Sequence, residues 1–227
     1  MTKHPQEFRV LFLGKKDNLF AERAADFIKR HFRHPLVFFG TRHDKLPSEV
    51  LNWQGDLIIS FISSWIIPES LLQNASFAAI NFHPGSPEYP GTGCTNFAIY
   101  NGEKEYGVTC HHMKAVVDTG NIIAVKRFPI KESDTVYGVT QRCYGLIEEQ
   151  FYEVLGGILN GQPLPSSGES WKRKPYTRRE LNELCFISSE MPDEEIEKRI
   201  KATTYREPWA YTKIGNKIFK LQSCDHR

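Results

Sequence analysis

The sequence predicts an α/β fold: a mostly parallel twisted sheet flanked by helices, with a short C-terminal β-hairpin extension. Three observations carry this. Short continuous apolar runs recur along the first 85 residues and read as buried strands. Helical or polar stretches separate them, and such strand–helix–strand alternation argues a parallel sheet with helices on both faces. The last apolar segment, WAYTKIGNKIFKL, reads instead as strand, turn, strand, with Ile214-Gly215-Asn216-Lys217 as the tight turn.

Each element follows in order. Phe8–Leu13 is a strand stopped by Gly14. Asp17 and Asn18 offer an N-cap to a helix over 18–32, with Phe20, Ala24, Phe27 and Ile28 at helical spacing. Leu36–Phe39 is a second strand closed by Gly40. Residues 41–55 are polar, mostly loop, with a short helix at 47–52. Asp56–Phe61 is a third strand, and Pro68 fits the first turn of a short helix over 68–73. Phe77–Asn81 is a fourth strand that runs into His83-Pro84-Gly85. Gly107–Met113 and Asn121–Phe128 read as adjacent strands joined by a turn at Asp118-Thr119-Gly120. A long helix over 134–159 carries an apolar stripe that includes Val139, Leu146, Phe151 and Leu155. The sheet so predicted is Rossmann-like. Past Gly161 the segment QPLPSSGES reads as a linker or surface loop. The basic run WKRKPYTRR follows, then short helices over 178–185 and 192–200. The expected division is a catalytic domain over 1–165 and an extension of linker, helices and hairpin over 166–227.

Composition excludes several classes. The 227 residues are enough for a substantial core, and 40% apolar with 25% charged residues rules out disorder as the main state. A net charge of +2 is too weak a field to imply nucleic-acid binding. No run of roughly 18 apolar residues exists to span a membrane, and Val10–Leu13 is too short for a signal-peptide core. Five cysteines (94, 110, 143, 185 and 224) form no CxxC pair, which fits a reducing cytoplasm.

Chemistry concentrates in INFHPGSPEYPG, residues 80–91, and GVTCHHMKAVVDTGNII, residues 107–123. Asn81 and His83 leave the end of a predicted parallel strand, where open sheets bind ligands. Two apart on an extended backbone, they point to one face. A carboxamide and an imidazole can hold a developing oxyanion, and the imidazole can move a proton near neutral pH. Asp118, on a turn between strands, can orient His83. Pro84, Pro87 and Pro90 stiffen the loop, so His83→Ala is expected to keep the fold, near the surface, and lose turnover. His83, Cys110, His111, His112 and Asp118 are all of metal-ligating type. His111 and His112 are adjacent on a strand and point to opposite faces, so no metal is expected. His111 is expected to face the site or the sheet interior.

Asn81-x-His83-Pro84 continued through Pro87 and Pro90-Gly91, then Gly107 to His111, then Asp118-x-Gly120-x-Ile122-Ile123, resembles the 10-formyltetrahydrofolate-dependent formyltransferase family. That family includes the glycinamide ribonucleotide, methionyl-tRNA and sugar-nucleotide N-formyltransferases. DLIISFISSWIIP, residues 56–68, is similar to the strand and folate-binding loop ahead of the family's Asn-x-His motif, and the resemblance covers about residues 8–160. It implies Asn81, His83 and Asp118 as catalytic residues. An amine attacks the formyl carbon, Asn81 and His83 hold the tetrahedral oxyanion, and His83 with ordered water carries the proton. Asp118 keeps the pair in register. It also implies that Ser63, Ser64, Trp65, Ile66, Ile67 and Val117 hold the folate cosubstrate, Trp65 either stacking on it or filling core.

Differences from each subfamily select the amine. The glycine-rich phosphate loop of the purine-pathway enzyme is absent, since LGKKDN follows the first strand. The tail resembles only the start of the second domain of the methionyl-tRNA enzyme. The sugar-nucleotide enzymes match best, implying a nucleotide-linked amino-deoxysugar acceptor for surface polysaccharide. A dTDP-4-amino-4,6-dideoxyhexose is the first expectation and a GDP-linked sugar the second. Tyr89 and Asn96 are placed near the mouth, within reach of the sugar. Lys172 and Arg173 are expected to meet the diphosphate, a solvated face being their alternative. The hairpin over 209–221 is too small to stand alone and is expected to pack on the core or to form a homodimer. Glycinamide ribonucleotide, methionyl-tRNA or a non-catalytic folate-binding module remain the alternatives.

Overall fold

Alternate residues of the first strand serve two different cores. Val10 and Phe12 join the cluster beneath the long helices, while Leu11 and Leu13 join the cluster on the opposite face. A strand buried on both faces has to be apolar throughout, which is why VLFL forms one here. A computed structural model describes residues 4–205 and 209–221, so Cys224 lies outside the described residues.

The six-stranded sheet contains Val10–Lys15 (β1), Leu36–Gly40 (β2), Gly55–Phe61 (β3), Ala75–His83 (β4), Glu105–His112 (β5) and Ile122–Pro129 (β6). Its order is β2-β1-β3-β4-β5-β6. The pairings β1–β2, β1–β3 and β3–β4 are parallel, whereas β4–β5 and β5–β6 are antiparallel. Leu19–His31 (α1) starts where the Asn18 side chain accepts the Ala21 N–H at 3.0 Å. The one-turn helices Ser48–Leu51 (α2) and Glu69–Leu72 (α3) contribute Val50 and Leu71 to the second core. Pro68 is the N-cap of α3, one residue ahead of its expected place.

Cys94–Tyr100 (α4) has no counterpart in the sequence reading. GTGCTN looks like a loop, and the helix depends on burial of Phe97, Ala98 and Ile99. Val136–Leu159 (α5) packs on α1, β4 and β5. Arg178–Cys185 (α6) begins in a capping box between Thr177 and Glu180. Asp193–Thr203 (α7) packs on α4 and α6. Tyr211–Ile214 (β7) and Lys217–Lys220 (β8) form the expected antiparallel hairpin. No helix among the described residues is long and apolar enough to cross a membrane.

The segment read as a linker is bound along the sheet. Ser167 donates its N–H to the Ile122 carbonyl at 3.2 Å. Arg127 makes a bidentate pair with Glu169 at 2.8 and 2.6 Å. Tyr176 donates to the Pro90 carbonyl at 2.8 Å and stacks on Phe97 with ring centroids 3.7 Å apart.

One core residue is out of character. Gln150 on α5 is 0% exposed, and neither amide atom has a hydrogen-bond partner among the described residues. An unpaired buried amide is costly. Gln150→Leu is therefore expected to raise stability by about 1 kcal/mol, or roughly 2–4 °C in Tm. A lower melting temperature would show that the amide is satisfied.

Candidate active site

β1 leads to β2 on one side, and the chain then returns to β3 on the other. The two strands therefore end side by side at a reversal of strand order, where open α/β sheets bind ligands. A cleft of about 380 Å³ opens there, extending across the end of β4. One wall is the loop after β3. Ile62 enters it at φ 53°, a strained conformation for a β-branched residue. Ser63 to Ile67 line the cleft, with Ile66 74% exposed and Ile67 buried. Trp65 also lines it, but its indole is committed to structure. Its Nε1 donates to the Asp44 carbonyl at 2.9 Å, and a Cβ on Gly40 would lie 2.0 Å from its ring. Val117 faces the cleft from the β5–β6 link.

His83 and His111 converge on Asp118, and Asn81 joins the cluster through His111. Ile80 and Phe82 point into the core under α5, so Asn81 and His83 take the other face of β4. Asn81 is paired in register with His111 across the β4–β5 ladder. Asp118 Oδ2 accepts the Gly91 N–H at 2.7 Å and lies 3.4 Å from His83 Nδ1. Its Oδ1 lies 3.2 Å from His111 Nε2. Asp118 is itself at φ 48°, and Gly120 is needed two residues on, because a Cβ there would lie 1.7 Å from the His112 carbonyl. Burial opposes ionisation of Asp118. The charge of His83, the hydrogen bond and charge of His111 and the Gly91 N–H outweigh it, holding the carboxyl well below the usual carboxylate range.

The imidazoles face acceptors. His83 Nε2 donates to the Tyr89 carbonyl at 3.1 Å, and His111 Nδ1 donates to the His112 carbonyl at 2.8 Å. His111 Nε2 is also 3.1 Å from Asn81 Nδ2. Unprotonated, that nitrogen accepts from the Asn81 amide. Protonated, it donates to Asp118 and frees the amide. His83 is 5% exposed rather than near the surface, because the 84–92 loop folds back over it.

None of the four residues expected to meet the sugar nucleotide lines the cleft. Tyr89 is 3% exposed, and its hydroxyl donates to Glu103 at 2.5 Å. Asn96 donates to the Ala202 carbonyl at 2.7 Å, tying α4 to α7. Arg173 covers the Tyr176 ring and pairs with Glu180 at 3.0 Å. Lys172 is exposed, and its backbone N–H bonds to Pro87. The positive charge at the cleft comes instead from Lys15, Arg42 and Lys114. Lys15 ends β1 and donates to the Tyr144 hydroxyl at 2.9 Å. Its position, one residue past a strand-ending glycine, was the only signal for it. Among the described residues no cluster of three or more His, Cys, Asp or Glu side chains could hold a metal ion.

Residues 17–155 match the sequence family described as Formyl transferase. A methionyl-tRNA formyltransferase of Myxococcus xanthus is 29% identical over 185 residues, covering 79% of this chain and 57% of that protein. A GDP-perosamine N-formyltransferase of Brucella melitensis is 30% identical over 177 residues, covering 77% and 67%. The chain thus spans little more than half the length of the methionyl-tRNA relatives it matches. A sugar N-formyltransferase from Shewanella sp FDAARGOS_354 superposes with a TM-score of 0.74 at 20% identity, over 94% of this chain and 96% of that one. An N-formyltransferase from Helicobacter canadensis, in complex with folinic acid and dTDP-3-aminofucose, gives 0.69 at 22% identity, over 92% and 84%. At these identities the likeness is one of fold.

Proposed function

Because the chain belongs to the formyl transferase family, we propose that it moves a formyl group from 10-formyltetrahydrofolate to the amine of a nucleotide-linked amino-deoxysugar. The observation that carries this is the convergence of Asn81, His83 and buried Asp118 at the end of β4, on the floor of the cleft. The folate fits the residues present. Ile66 and Val117, 74% and 44% exposed, offer apolar surface to a flat ring, and the strained entry at Ile62 fixes the loop that presents it. Ser63, Ser64, Trp65 and Ile67 complete that wall.

10-Formyltetrahydrofolate supplies the formyl group. The acceptor amine bonds to the formyl carbon as that carbon's bond to the folate nitrogen breaks, with one proton passing from the amine to the leaving nitrogen. The Asn81 amide and the His83 ring donate to the oxygen on which charge develops. His83 carries the proton, and Asp118 fixes its ring. His83 releases one of its two protein acceptors to do so, since both ring nitrogens are engaged.

The acceptor reading rests on charge and on relatives. Lys15 and Arg42 line the cleft, and its one lining carboxylate, Asp118, is buried between imidazoles, so an anionic diphosphate is favoured. The Brucella relative is named for GDP-perosamine, and the Helicobacter neighbour holds dTDP-3-aminofucose. A dTDP-4-amino-4,6-dideoxyhexose remains our first choice, a GDP-linked sugar the second, with the enzyme acting in the cytoplasm to supply surface polysaccharide synthesis. Residues 1–165 form the catalytic domain and 166–227 its extension. The hairpin exposes Ile214, Ile218 and Phe219 at 66, 60 and 50%, and we assign it to a homodimer contact. Sedimentation as a monomer at micromolar concentration would remove that assignment.

The test is mass spectrometry of products formed from 10-formyltetrahydrofolate and a panel of nucleotide-linked 3-amino and 4-amino sugars, with glycinamide ribonucleotide and methionyl-tRNA as rivals. One formyl group gained by a single amino sugar supports the reading. Formylation of a rival alone overturns it, and folate binding without turnover points to a non-catalytic module.

A further inference from the structure

The histidines of the site are closed from behind by a residue outside the 17–155 family match. Trp171 lies on the strap that follows α5. Its ring meets His111 edge-on, with centroids 5.0 Å apart and planes at 86°, and meets His83 at 5.9 Å and 73°. His83, His111, Asn81 and Asp118 all line the cleft, but Trp171 does not. The indole therefore covers the side of the imidazoles turned away from the cleft.

Its polar end has a separate task. Trp171 Nε1 donates to the Gly120 carbonyl at 2.8 Å. Gly120 is two residues past Asp118, whose backbone is already in a left-handed conformation. On its other side Gly120 is pressed against the His112 carbonyl so closely that no side chain fits. The Asp118 turn is thus wedged between β5 and the indole. The strap that carries Trp171 is anchored on both sides, by Arg127 with Glu169 at 2.6 Å and by the Lys172 N–H on Pro87 at 3.0 Å. Pro87 belongs to the proline loop that covers His83.

We infer that Trp171 is a positioning residue for formyl transfer, sealing the His83–Asp118–His111 cluster from water on its far side and holding the Asp118 turn through Gly120. The role rests on the formyl-transfer reading, but the seal does not. Buried imidazole N–H groups screened from water exchange slowly and keep their proton signals.

The experiment compares wild type, Trp171→Phe and Trp171→Leu, each verified as folded by its melting curve. Steady-state kinetics are run on the acceptor found by the product assay, and imidazole N–H spectra are taken on histidine-labelled protein. Trp171→Leu keeps apolar bulk but loses both the ring edge and the N–H. It is expected to lower kcat on the order of tenfold with both KM values within about twofold, and to lose the His111 Nδ1–H signal. Trp171→Phe restores the ring edge and the signal, and lowers kcat only about threefold, for the missing hydrogen bond.

A persistent His111 signal in Trp171→Leu, or kcat equal to wild type in both variants, overturns the inference. So does a KM that rises in step with the fall in kcat, which would place Trp171 in substrate binding. If wild type formylates nothing, the functional reading fails and the spectra alone decide the seal. If Trp171→Leu does not fold, Trp171→Phe decides, since wild-type kcat there would leave the Gly120 bond without a role.

Discussion

His83→Ala is expected to lower formyl transfer by on the order of 10³, the combined loss of a proton carrier and an oxyanion donor. It is also expected to cost stability, contrary to what the proline-stiffened loop suggested. His83 is buried, and its ring is the partner of the Tyr89 carbonyl and neighbour of Asp118. Truncation leaves a cavity, an unpaired carbonyl and a carboxylate short of one counter-charge, together about 2 kcal/mol. His83→Gln keeps a donor for Tyr89 and separates the two effects. Its melting temperature should lie between those of His83→Ala and wild type while its turnover stays low. Activity within tenfold of wild type in either variant would remove His83 from the mechanism.

Asp118→Asn is expected to lower turnover by roughly 10³ to 10⁴, the scale on which a buried aspartate that fixes a catalytic imidazole acts. The amide keeps the shape but cannot face two imidazoles as a shared negative charge. Stability should fall as well, in a pH-dependent way. The folded-state pKa of Asp118 is depressed, so its contribution is present above the unfolded carboxyl value of about 3.9 and is withdrawn as pH falls below it. Urea midpoints of wild type and Asp118→Asn should therefore differ most near pH 7 and converge below about pH 4. A gap that stays constant across this range would mean that Asp118 is not held ionised by its histidines.

Much of the fold was legible because the inner strands are apolar throughout and nothing else explains runs such as DLIISF in Gly55–Phe61. Asn81, His83 and Asp118 were legible as a set because strand alternation fixed which face Asn81 and His83 share. What escaped depends on contacts between distant segments. α4 depends on burial of Phe97, Ala98 and Ile99, with Phe97 stacked on the distant Tyr176. Tyr89 lies beside the site in sequence, yet Glu103 and the aromatic cluster draw its ring into the interior. Trp171 stands in a Ser/Gly/Pro-rich and basic stretch, and no periodicity marks a residue whose role is set by the carbonyl it meets on another link. The basic run offered either ligand contact or a solvated face, and Arg173 within it pairs with Glu180.

The pairing pattern of β4 bears on how the site comes into being. β5 and β6 are adjacent in the chain, joined through residues 113–121, so they can find each other early at small loop-closure cost. β4 meets β3 in parallel, which requires the crossover through α3, and meets β5 only after α4 has been traversed. The turn that carries Asp118 is thus closed by a local event, whereas its bonds to Gly91 and Trp171, like the placement of Asn81 and His83, are distant ones. Acquisition of the catalytic constellation then reports completion of the sheet, since the β5–β6 hairpin by itself holds the Asp118–His111 pair without Asn81 or His83.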